Sequence, residues 1–91
     1  MNIDNYRAYI SAETMMGPNS VRILAELFDK YPLQVVSDDR ILDLGCGTGL
    51  TSLIIAKETG ARVSANDLWI SEEENRKRFA EWGVGEQITP V

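Results

Sequence analysis

Apolar residues first recur at helical spacing at Ile3, Tyr6 and Ile10, which places one helical segment over residues 3–11. Met15-Met16-Gly17-Pro18-Asn19 interrupts it, because a Gly-Pro pair punctuates regular structure. Asn19 or Ser20 then caps a helix whose apolar face is Val21, Leu24, Leu27, Phe28 and Tyr31, with Pro32 helping to end it. Beyond the polar Ser37-Asp38-Asp39 the period changes. Arg40-Ile41-Leu42-Asp43-Leu44 reads as a short buried strand and Gly45-Cys46-Gly47-Thr48-Gly49 as a tight turn. Residues 48–59 read as a helix with Leu50, Leu53, Ile54 and Lys57 along one face, and Gly60 stands where a left-handed residue closes a helix. Residues 61–66 form a second strand that ends at Asp67.

Ser71-Glu72-Glu73-Glu74 is a capping-box pattern, with Ser71 as N-cap. Glu72–Arg76, Glu73–Lys77 and Glu74–Arg78 follow as i,i+4 pairs, and the charge run 72–78 reads as a solvated helix face. Phe79, Ala80 and Trp82 give that helix a thin apolar side, and Gly83 stops it. Residues 87–91 look like the start of a third strand. Strands that alternate with helices imply a parallel sheet joined by right-handed crossovers. The expected architecture is α/β: a βαβαβ unit of strand order 3-2-1, half of a doubly wound sheet, at residues 37–91. An N-terminal helical segment, residues 1–36, precedes it within one domain.

Charge and composition narrow the chemistry. Nine Lys and Arg stand against fourteen Asp and Glu, a net charge of −5, so the chain repels phosphate backbones and nucleic acid is not its partner. With no His there is neither a Ser-His-Asp triad nor a His-ligated zinc, and Cys46 alone makes no disulfide or CxxC motif. No metal is expected. The N-terminus lacks an apolar signal core and no apolar run approaches the ~20 residues of a membrane span. These features point to a soluble cytoplasmic protein.

A strand, a glycine turn and a helix make a ligand-binding device: glycines let the turn be tight, and the helix offers unpaired N–H groups. Asp67, eighteen positions after Gly49, ends the next strand, where an acid takes the hydroxyls of a ribose. The dinucleotide pattern GxGxxG fails, since its third glycine falls on Leu50. Ile41-Leu42-Asp43-Leu44-Gly45-Cys46-Gly47-Thr48-Gly49 instead closely resembles the first motif of class I S-adenosylmethionine-dependent methyltransferases. Val63-Ser64-Ala65-Asn66-Asp67-Leu68 resembles their acidic second-strand motif, and Met16-Gly17-Pro18-Asn19 is more loosely similar to the lead-in of small-molecule methyltransferases in that group. The resemblance implies a Rossmann-like fold with S-adenosylmethionine as cofactor and S-adenosylhomocysteine as product. It also implies roles: Gly45, Cys46, Gly47, Thr48 and Gly49 against the methionine part, Asp43 near its ammonium, Asp67 on the ribose, and Leu68 and Trp69 beside the adenine.

Plainer readings stand beside these. Asp43 is otherwise a polar residue leaving a strand, though an acid in an apolar strand needs a partner. Cys46 is a packing residue rather than a nucleophile, with no basic neighbour in sequence to lower its pKa. Trp69 is either an adenine wall or an exposed turn residue, Trp82 core or interface, and Met15 and Met16 packing residues. The resemblance covers the cofactor-binding half of the family alone, so the expectation is a truncated or engineered fragment without an acceptor site or a catalytic residue. The parent enzyme would take a small-molecule acceptor. In a 3-2-1 order the first strand is an apolar edge, which suggests a homodimer formed through it. The rival readings are a nucleotide- or dinucleotide-binding half-domain and a non-catalytic scaffold that retains the turn.

Overall fold

The computed structural model describes residues 1–11, 13–15, 19–31 and 35–91. The Gly-Pro break, most of the loosely matched lead-in and Pro32 lie outside the described residues. Three parallel strands, β1 (Arg40–Leu44), β2 (Arg62–Asn66) and β3 (Ile88–Pro90), form a sheet in the order β1-β2-β3, so β1 and β3 are its edges. Ile41 pairs with Val63 and Val63 with Ile88, which aligns the inward side chains of all three strands. This is the expected half of a doubly wound α/β sheet.

Among the described residues three α-helices accompany the sheet: α1 (Ser20–Lys30), α2 (Leu50–Thr59) and α3 (Glu72–Glu81). Both crossovers step in the same direction across the sheet, so right-handedness puts α2 and α3 on one face. Val63, Ala65 and Ile88 are buried under them with Leu53, Ala56 and Phe79. On the other face Leu42 and Leu44 are exposed. The N-terminal segment folds as a 3₁₀ helix (Ile3–Tyr9), and with α1 it covers the outer side of α2, where Tyr6, Val21 and Leu24 meet Leu50 and Ile54. Sheet, crossover helices and N-terminal helices thus make three layers, with the sheet outermost.

The sandwiching of α2 explains several departures from the sequence pattern. Leu50, Ser52, Leu53, Ile54 and Ala56 are all buried, so α2 has two apolar sides, while Lys57 is exposed beside the Tyr9 ring. The helix begins at Leu50 rather than Thr48, because Gly49 is left-handed (φ 92°) and cannot continue a right-handed helix. On α1, Asn19 is the cap, accepting from the Arg22 N–H, and Leu27 and Tyr31 are exposed rather than packed. On α3, Ser71 caps through the Glu74 N–H, while Ala80 is exposed and Asn75 takes the buried position expected of an apolar residue. The Glu72–Arg76 ion pair forms at 2.7 Å and Glu74–Arg78 at 3.9 Å; Glu73 and Lys77 make none among the described residues. Half-buried Trp82 packs edge-on against Tyr9 and tilted against Phe79, tying the end of α3 to the N-terminal layer.

Candidate functional site

The β1–β2 ladder continues past Leu44 into the glycine turn. The N–H groups of Gly45 and Cys46 both donate to the Asn66 carbonyl, at 2.7 and 2.9 Å, and the Gly49 N–H donates to the Cys46 carbonyl at 3.0 Å. Gly45, Gly47 and Gly49 have φ of 75°, 58° and 92°. A side chain in that region costs about 1–2 kcal/mol. A Cβ at Gly45 would meet nothing within 4 Å, so this bare backbone borders open space.

Asp67 stands against the turn. Its Oδ1 accepts from the Gly47 N–H at 3.0 Å, and its Oδ2 accepts from the N–H groups of Trp69 and Ile70, both at 2.9 Å. The Ile70 bond is the largest of the effects that set its pKa. Partial burial opposes it, the Trp69 and Gly47 bonds add to it, and the carboxyl is held below its ordinary value. A carboxylate has about four acceptor positions, so Asp67 keeps capacity for one more donor.

Asp43 has the partners its place in an apolar strand demands. Its Oδ2 accepts from the hydroxyls of Thr51 (2.6 Å) and Ser52 (2.7 Å) in the first turn of α2. The Cys46 thiol is buried and pushed up to about 11, chiefly by burial and then by the charges of Asp43 and Asp67, an environment that suits a packing group.

Beside the turn lies a cleft of about 240 Å³. Of the residues expected to hold the cofactor, Gly45, Cys46, Gly47, Thr48 and Asp67 border it. Leu50 and Thr51 from the first turn of α2 complete it together with Thr14 and Ser20, which no local pattern places there, because only the fold brings the N-terminal segment over the turn. The Thr48 hydroxyl donates to the Thr14 carbonyl, which fastens that segment in place. Asp43, Gly49, Leu68 and Trp69 do not border the cleft; Leu68 and Trp69 project from the β2–α3 turn, each 84% exposed. A wider hollow of about 740 Å³ lies among Ser37, Arg62 and Gln87 at the amino ends of the strands. Ligands of open α/β sheets bind at the carboxyl ends, where the glycine turn is.

Two residues of the charge run turn toward the protein rather than solvent. Asn75 is buried and donates to the Gly47 carbonyl at 3.0 Å; Arg78, half-buried, donates to Asn75 Oδ1 at 2.7 Å. Their signal in the sequence was the four-residue step from Asn75 to Phe79, which puts the amide on the helix's inward face.

No protein-family model matches the chain. Over 49 residues, 54% of this chain and 15% of the relative, it is 41% identical to the ribosomal protein L11 methyltransferase of Acetivibrio thermocellus. An S-adenosyl-L-homocysteine complex of a SAM-dependent methyltransferase from Thiobacillus denitrificans superposes with a TM-score of 0.66 at 27% identity, over 88% of this chain and 32% of that one. The fold is that of a portion of a class I S-adenosylmethionine-dependent methyltransferase. The geranyl diphosphate C-methyltransferase of Streptomyces coelicolor A3(2), in complex with Mg2+, geranyl diphosphate and S-adenosyl-L-homocysteine, shares this methyltransferase fold. Its TM-score is 0.65 at 22% identity, over 78% of this chain and 27% of that one. The chain therefore spans less than a third of the length of each of these relatives.

Proposed function

We propose that this chain binds S-adenosylmethionine at the glycine turn and is the cofactor-holding portion of a methyltransferase that acts on a small-molecule acceptor. The observation that carries this reading is the bond from the Gly47 N–H to Asp67 Oδ1, which joins the turn and the second-strand acid into one site. When bound, the cofactor supplies a methyl group activated on a sulfonium. The bare backbone at Gly45 and Gly47 lies against its methionine part, and the spare acceptor position of Asp67 takes a ribose hydroxyl. Asp43 adds negative charge near the ammonium, and Leu68 and Trp69 border the adenine. Two carboxylates close to the turn also favour a cationic ligand.

The missing third glycine of the dinucleotide pattern, with Leu50 in its place, supports this cofactor over a dinucleotide. The N–H groups of Gly45, Cys46, Gly47 and Gly49 are spent inside the protein, which leaves the uncapped first turn of α2 as the source of free N–H groups beside the turn. At about 240 Å³ the cleft is smaller than the roughly 300–1,000 Å³ of pockets for drug-sized ligands, so this chain holds one side of the cofactor. Methyl transfer depends on positioning an acceptor in line with the leaving group; we read this chain as unable to transfer methyl by itself, and as cytoplasmic. The test is a calorimetric titration with S-adenosylhomocysteine and, separately, NADH. Saturable uptake of the first alone is expected; uptake of NADH alone would overturn the reading in favour of a dinucleotide half-domain, and uptake of neither in favour of a scaffold.

A second reading concerns self-association. β1 is an edge strand, and Leu42 and Leu44 are 60% and 75% exposed. Apolar edges seek another strand, so we propose that two copies pair through β1. Sedimentation showing a folded monomer at high concentration would sink that proposal.

A further inference from the structure

We infer that Asn75 and Arg78 on α3 are positioning residues for the glycine turn, holding Gly47 in the conformation that receives the cofactor. The inference rests on the cofactor reading above. Asn75 is 2% exposed, and a polar side chain so buried is normally fully partnered. Its Nδ2 donates to the Gly47 carbonyl at 3.0 Å and also faces Cys46 Sγ at 3.6 Å, while its Oδ1 accepts from Arg78 Nη1 at 2.7 Å. The amide has one workable orientation: a guanidinium only donates and a carbonyl only accepts, so turning it over would lose both bonds. Arg78 reaches further, with the Thr48 carbonyl 3.4 Å from the same nitrogen and Glu74 3.9 Å from its neighbour.

Gly47 is consequently gripped from both sides. Its N–H is held by Asp67 from the end of β2, and its carbonyl by Asn75 from α3. Glycine is the residue with the most backbone freedom to lose. Ordering one residue in advance of binding is worth about tenfold in affinity, because that entropy is no longer lost when the ligand arrives. The helix after the second strand thus presets the turn after the first.

The experiment uses the whole chain, S-adenosylhomocysteine as probe, and three substitutions. Asn75→Asp keeps the size and the Arg78 partnership but cannot donate to the Gly47 carbonyl. Arg78→Met removes the guanidinium and keeps the stem, and Arg78→Lys retains a donor toward Asn75 Oδ1. In Asn75→Asp and Arg78→Met the dissociation constant should rise about tenfold, and in Arg78→Lys by no more than about threefold. In ligand-free protein, amide exchange at Gly47 and Gly49 should speed up while Leu53 and Ile54 exchange as before, a pattern that general destabilisation does not give. Asn75→Asp binding within twofold of the wild type, or faster exchange throughout α2 and the sheet, would overturn the inference. A wild-type chain that takes up no S-adenosylhomocysteine overturns the cofactor reading and this inference with it, and is told apart by being seen before any substitution is made.

Discussion

The ring of Phe79 occupies the space that a side chain on Gly49 would need: a Cβ built on Gly49 overlaps the ring's Cε1 and Cζ. The last glycine of the turn therefore serves the packing of α3 against the start of α2, while Gly45 faces open space. Gly49→Ala should cost about 3 kcal/mol, combining a left-handed side chain with overpacking. Gly45→Ala should cost only the conformational part, about 1–2 kcal/mol, yet weaken S-adenosylhomocysteine binding because its methyl enters the cleft. Urea unfolding and calorimetry on the two variants check this; equal stability losses would refute the division of roles.

Asp67 should make the fold sensitive to acid. Its folded pKa lies below the unfolded value, so its contribution is complete above about pH 4 and is lost as pH falls through the folded value. Asp67→Asn should be less stable at neutral pH, because three N–H donors converge where an amide offers a single oxygen. Its melting temperature should fall less than the wild type's between pH 4 and pH 2. Parallel melting curves for the two proteins would contradict this.

The Cys46 thiol should be slow to react in the native protein. Raised to about 11, it is almost wholly protonated at pH 8. The contribution of the neutral thiol is full below the ordinary thiol range, about 8.5, and is lost as pH rises toward 11. Iodoacetamide should label Cys46 at pH 8 far faster in concentrated urea than in buffer. Equal rates would show that the turn does not protect it.

Tyr6 donates to Glu58 Oε2 at 2.5 Å, fastening the N-terminal 3₁₀ helix to the end of α2. Burial first, and then the Glu58 bond, raise the hydroxyl well above its ordinary value. Tyr6→Phe should cost about 1.5 kcal/mol, the low end for a bond to a charged acceptor, since Glu58 faces water. Because the N-terminal segment also meets the cleft at Thr14, weaker S-adenosylhomocysteine binding should accompany the loss. Unchanged stability by urea unfolding would remove the bond from the account.

Much of this protein is written locally in the sequence. Alternation of strand and helix implies a parallel sheet with right-handed crossovers, while the 3-2-1 order is expected from the family resemblance and is observed in the sheet. Ser71 and Gly60 mark helix ends because caps act on the nearest backbone groups. The glycine turn and Asp67 are legible as one device because their spacing follows from the length of a βαβ unit. Long-range contacts decided the rest. Only the stacking of the N-terminal layer on α2 explains why that helix is buried on two sides, and why Thr14 and Ser20 border the cleft. Asp43 finds its partners in Thr51 and Ser52 only once β1 and α2 are packed. The run 72–78 looks uniformly solvated in one dimension. In three, Asn75 and Arg78 turn onto the carbonyls of a loop about thirty residues earlier, because the crossover lays α3 beside the turn. A helix's period tells which side of it faces in; what waits there depends on how the chain returns.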